Sequence, residues 1–176
     1  MPATVLIRAQ RLTTLCCAAM ISLAVGLNLL PVLLLTISRL FAGEADLDRE
    51  QLGRLSAISF IGLVAAIVVT GPLADRWGAK PFVQLGNGLL AIGLLGAGWA
   101  PSYAWLGVAV FVIGLGAGTL DMVLSPVVAA LHPERRSAAM NWLHSFYCVG
   151  GVLIAVAGTA AIAGGLEWRW ICTLLA

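Results

Sequence analysis

Charge is what this chain has least of. Only 10% of its 176 residues are Asp, Glu, Lys or Arg, whereas soluble globular domains carry about 25%. An ordinary water-exposed surface cannot be built from so few. The balance is also close to neutral, with a net charge of +2. Basic residues are scattered and no aromatics interleave with them, so no nucleic-acid partner is expected. Cysteine is sparse too. Cys16, Cys17, Cys148 and Cys172 all sit in apolar runs, without metal-ligand spacing or the framework of a secreted domain. Small apolar packing is the role expected of these thiols. Neither a His-Glu-x-x-His pattern nor a glycine loop leading into a lysine occurs, and no metal or cofactor is expected. The nearest approach to a hydrolytic group is Ser145 beside His144, with Asp121 upstream. Adjacent helical residues point about 100° apart, so this histidine would address this serine poorly. The chain does not read as an enzyme.

What the chain has in abundance is apolar length. It is 61% hydrophobic with a mean hydropathy of +1.01. Six apolar segments stand out, at about 12–40, 52–71, 82–100, 103–131, 137–164 and 168–176. The first five can each cross a bilayer, whose ~30 Å apolar core needs ~20 helical residues. An all-α membrane protein is the fold class this predicts. The first segment follows Arg8 and Arg11. It is far too long for a signal peptide, and Phe41-Ala42-Gly43 makes a poor cleavage site. The sixth opens at Trp168 and stops at Ala176, a rise of only ~13 Å. A helix cut short inside the membrane is expected there, and with it a fragment of something larger.

The few charges orient the bundle. A cytoplasmic N-terminus places Arg8, Arg11, Arg76, Lys80, Arg135 and Arg136 inside and Arg39, Arg49, Arg54 and Arg169 outside. The inner excess favours that orientation. Glu44, Asp46, Asp48 and Glu50 crowd the first outer loop, but acids weigh little in the rule.

Small and polar residues fall at helical spacing. Ser59, Gly62, Ala66 and Thr70 form one stripe on the second segment, and Gly114, Gly118, Asp121 and Ser125 another on the fourth. The third carries Gly86, Gly93, Gly96 and Gly98. Close helix packing is the default for such stripes in lipid. Asp121 breaks the pattern as the only formally charged side chain well inside a span. It lies ~15 Å from the inner end of its helix, where a carboxylate costs about 2.5 kcal/mol or more. A proton carrier facing a cavity fits this placement. A structural acid held by Thr119, Ser125 or another helix is the alternative. His144 lies at nearly the same depth, ~10 Å in from Ser137. Asn141, Ser145 and Cys148 neighbour it, a surface able to hydrogen-bond a polyol or relay a proton; capping or gluing of helices near the interface is the competing role.

Between the second and third segments stands Gly71-Pro72-Leu73-Ala74-Asp75-Arg76-Trp77-Gly78-Ala79-Lys80-Pro81, predicted as a tight charged turn at a membrane surface. It resembles the loop between the second and third helices of the major facilitator superfamily, roughly G-x-L-A-D-R-x-G-R-K. Gly71, Leu73, Ala74, Asp75, Arg76, Gly78 and Lys80 fall at that spacing, and Ala79 departs from it. The resemblance implies the N-terminal six-helix bundle of that fold, with the sixth helix truncated and the C-terminal bundle absent. It implies a multi-pass protein of a bacterial inner membrane, alternating access by rocking of two bundles, and a small-molecule substrate between them. Gly71, Asp75, Arg76, Gly78 and Lys80 would form an inner gate loop.

A narrower resemblance covers about forty residues, from Gly114-Leu115-Gly116-Ala117-Gly118-Thr119-Leu120-Asp121 through Ser125-Pro126 and His132-Pro133-Glu134-Arg135-Arg136 to Asn141-Trp142-Leu143-His144-Ser145-Phe146 and Gly150-Gly151. This looks like the fucose permease type of sugar–proton symporter. The likeness implies a proton as coupling ion with Asp121 as its carrier; His144, at nearly the same depth, is the second proton-coupling candidate, and Asn28, Ser125, Asn141 and Ser145 are the substrate-cavity candidates. Ser125 replaces that group's asparagine, and Asn28 stands where its first helix has a second acid. A drug or metabolite efflux antiporter of the same superfamily is the alternative. No proline interrupts 150–158 and no arginine lies within 103–131, and both features mark many drug antiporters. A non-transporting half-transporter with a structural or regulatory role is the alternative of another class.

Overall fold

The computed structural model describes residues 3–41 and 49–176. The acidic stretch expected at 44–48 lies outside them. Among the described residues there are six helices: α1 (Ala3–Phe41), α2 (Arg49–Trp77), α3 (Ala79–Gly98), α4 (Tyr103–Leu131), α5 (Arg136–Ala163) and α6 (Trp168–Leu175). Five of them contain a stretch long and apolar enough to cross a membrane, and α6, with eight residues, does not. The protein is an all-α membrane bundle.

α4 is its axis. α2 and α3 pack along two of its faces and α1 along a third, while α5 lies against α1 and α6 against α3. The small-residue stripes explain how α2 comes so close. A methyl added at Gly114 would collide with the Ser59 carbonyl, one at Gly118 with that of Leu63, and one at Gly62 with that of Phe111. Ser59, Ala66 and Thr70 are buried in the same seam. The α3 side repeats the device. A Cβ at Gly93 would stand 2.8 Å from the Ile113 amide nitrogen, and one at Gly86 would stand 2.7 Å from Leu120. Gly98 meets α6 instead, with the Arg169 carbonyl 3.0 Å from its Cβ position. Lipid supplies no hydrophobic force between helices, so backbone approach of this kind is what holds them.

The helix boundaries correct the expected turn. α2 does not stop at Gly71 but runs on through Pro72 to Trp77. Pro72 is exposed near the helix end, where a lost backbone donor is tolerated. Gly71 is buried with its Cβ position 3.0 Å from Met122 Cε, so it serves helix packing against α4. The break falls on Gly78 alone. Its amide donates to the Ala74 carbonyl at 2.9 Å and its φ is 79°, a conformation that glycine adopts without strain. Ala79, Lys80 and Pro81 already belong to α3, and Pro is well tolerated in a first helical turn. α1 likewise starts at Ala3 rather than near residue 12, because polar residues before the apolar run extend the helix into the interface. α3 closes at Gly98, two residues short of its expected end. α4 opens where Ser102 accepts a hydrogen bond from the Trp105 amide at 3.3 Å.

Candidate functional site

α5 is the most exposed of the spans. Its buried seam of Leu143, Gly150, Ile154 and Gly158 faces the bundle. By the helical period, Asn141, Ser145, Cys148, Val152 and Thr159 share one other face, and all five are exposed. His144 borders that face and is exposed as well. A further face presents Trp142, Val149, Leu153 and Val156, side chains suited to lipid. The helix therefore has a packed side, an apolar outer side and a polar side without a partner in the described residues. Ser145 Oγ donates to the Asn141 carbonyl at 2.8 Å, so its hydroxyl is engaged away from His144.

Asp121 is half-buried on α4, in the stripe where Gly114 and Gly118 have already met α2. Among the described residues it makes no hydrogen bond and no ion pair; the one salt bridge present joins Arg54 to Glu50 at 2.6 Å. Thr119, a predicted anchor, is turned away. Its hydroxyl donates to the Leu115 carbonyl at 2.8 Å. Ser125 is half-buried one turn beyond, and no hydrogen bond links it to the acid. No direct bond joins Asp121 to His144 either.

Asn28 does find a partner on α5. Its Nδ2 donates to the Ala24 carbonyl at 2.8 Å and to the Tyr147 hydroxyl at 3.3 Å. Gly151 leaves room beside this amide, with its Cβ position 3.6 Å from Asn28 Nδ2. Tyr147 was absent from the sequence-based set, although it stands three residues after His144 on a polar helix. A second tie was missed. Thr13 Oγ1 on α1 and His132 Nε2 at the end of α4 lie 3.0 Å apart.

At the Gly78 end, Asp75, Arg76 and Lys80 are all exposed. None pairs with another charge among the described residues. Trp77 stacks on Phe82 across the break, with ring centroids 6.3 Å apart and planes 7° from parallel. The charges are thus presented outward from a stiff corner.

The family model of the Major Facilitator Superfamily matches residues 14–176. The chain belongs to this superfamily. It is similar to a D-xylose transporter of Levilactobacillus brevis, 22% identical over 73% of this chain and 28% of that protein. It is also similar to a gentisate transporter of Corynebacterium glutamicum, 28% identical over 77% of this chain and 31% of that protein. A synaptic vesicle 2-related protein of Rattus norvegicus is 27% identical over 76% of this chain and 24% of that protein. The chain spans less than a third of the length of these relatives. The superfamily is one of transporters, and this member is an integral, multi-pass membrane protein.

Proposed function

We propose that this bundle is the N-terminal half of a secondary active transporter that moves a small polar, sugar-like solute by proton-coupled alternating access. The polar face of α5 carries the proposal. Asn141, His144, Ser145 and Cys148 are exposed within a span otherwise fit for lipid. Polar side chains in hydrocarbon are costly, and they persist where they line water or meet protein. A second bundle opposite α5, with a watery cavity between, accommodates that face. In this arrangement α1–α3 and α4–α6 are inverted three-helix repeats and the N-terminus is cytoplasmic.

Within the cavity, Asn28, Ser125, Asn141 and Ser145 hydrogen-bond the solute. Asp121 takes up the proton, as the fourth-helix acid does in the fucose permease type, and His144 is the second proton-coupling residue. Among the described residues Asp121 has no hydrogen bond, which supports that role, since a fixed structural acid would be bonded. Asp75, Arg76 and Lys80, held at the corner by Gly78, face the second bundle as an inner gate.

Asp121→Asn tests the coupling in membranes containing the complete transporter. The variant mimics the protonated acid, so exchange between two solute pools survives and uphill accumulation driven by a proton gradient is lost. Full accumulation by the variant would remove Asp121 from coupling. A parallel His144→Gln variant shows whether the pH dependence belongs to the histidine.

A further inference from the structure

The end of the bundle opposite Asp75 holds a cavity of about 270 Å³ that the transport cycle does not use. Gly98 and Trp99 at the end of α3 line it, together with Glu167, Arg169, Trp170 and Thr173 at the start of α6. Opposite charges share its wall without meeting, because the one ion pair among the described residues lies elsewhere. Arg169 is anchored. It donates through Nη2 to the Ala100 carbonyl at 3.1 Å and lies 5.5 Å from the centre of the Trp168 ring. A guanidinium has five N–H donors, so most remain free for a ligand. The Glu167 side chain caps no backbone amide.

Depth identifies the surroundings. The cavity sits where α3 ends and α4 and α6 begin, at the level where a bilayer passes from acyl chains to headgroups. Trp99 and Trp170 flank it, 73% and 58% exposed, and Trp105 stands nearby in the first turn of α4 with 53% exposed. Exposed tryptophans collect at that level. A ligand there needs an anionic group for Arg169, a cationic hydrogen-bond donor for Glu167, and an apolar body for the indoles. A purely anionic headgroup would meet repulsion from Glu167. A quaternary ammonium would offer this carboxylate no N–H.

We propose that this cavity binds the headgroup of an aminophospholipid, with its phosphate on Arg169, its primary ammonium on Glu167 and its glycerol region against Trp99 and Trp170. The site depends on the membrane setting and stands apart from the proposed transport cycle.

The test uses the full chain in phosphatidylcholine vesicles doped with brominated lipids, whose relative binding is read from quenching of tryptophan fluorescence. Brominated phosphatidylethanolamine should out-compete brominated phosphatidylcholine by about fivefold, the weight of one interfacial charge contact. E167Q should reduce that ratio to near one while binding of brominated phosphatidylglycerol rises. R169Q should weaken all three brominated phospholipids, since each presents a phosphate to that guanidinium. Glu167 makes no side-chain cap, so E167Q keeps the fold, which circular dichroism verifies. Equal quenching by all three lipids in wild type, or a preference that survives E167Q, would overturn the proposal. Displacement of the lipid by soluble phosphoethanolamine at equal concentration would overturn it too, by assigning the cavity to a free solute.

Discussion

α4 and α5 pack against each other with 29 and 28 residues, and their most apolar stretches have the same mean hydropathy. Yet 67% of the apolar stretch of α4 is buried inside the bundle, against 17% of that of α5. The difference lies in where their small and polar residues sit. On α4, Gly114, Gly116 and Gly118 meet backbone of α2 and α3 at distances that no side chain allows. On α5, glycine is confined to one seam against α1, where Gly150 and Gly158 meet Ala24 and Val32. Its hydrogen-bonding residues stand on a face of their own. Hydropathy puts a helix in the membrane. The phase of its small residues decides whether it becomes a core or a wall.

The largest expected effect breaks α4. Gly114→Leu forces a side chain into the Ser59 carbonyl and should cost about 3 kcal/mol or more through overpacking. Folded, monodisperse protein after detergent extraction should be nearly abolished. Gly151→Ala on α5 meets only an ordinary contact and should extract like wild type. Similar losses from both would mean that the two helices are equally packed.

Truncation sharpens the contrast. Leu120→Ala removes a fully buried side chain from α4 and should cost about 2 kcal/mol, mostly lost packing, since lipid is as apolar as the leucine. Leu153→Ala on the outer face of α5, 52% exposed, should stay within about 0.5 kcal/mol. Thermal or denaturant unfolding in detergent reads both.

The smallest effect concerns the link between wall and core. Tyr147→Phe deletes the hydroxyl that accepts from Asn28 and should cost about 0.6 kcal/mol, the usual weight of such a bond between membrane helices. A cost above about 2 kcal/mol would show that this tyrosine carries more than one interaction.

Much of the core was legible before any coordinates. The stripe of Ser59, Gly62, Ala66 and Thr70 is buried, and Gly114 and Gly118 pack closely onto it between Ser59 and Ala66, because close helix packing is the default use of such a stripe in lipid. The end of α2 was misjudged for a complementary reason. Pro72 and Gly71 look like breakers, but only a residue with positive φ ends this helix, and that condition selects Gly78. For the site, the sequence could place Asp121 and His144 by depth. It could not show that Asp121 has no hydrogen bond among the described residues or that Asn28 reaches Tyr147, since both depend on how α1, α4 and α5 rotate against one another. His132 with Thr13 escaped notice because the two lie far apart in the chain and neither sits in a motif.

The corner at Gly78 has a mechanical consequence. One residue outside helical conformation joins a helix of 29 residues to one of 20, so the connection is a crank rather than a tether. It has no slack to absorb. Tilting α2 drives α3 through a single pair of backbone torsions, and the stack of Trp77 on Phe82 stiffens the elbow. Adding one residue beside Gly78 would turn α3 by about 100°, swinging Gly86 and Gly93 off α4. The joint sets the angular phase of α3 as firmly as it sets its place.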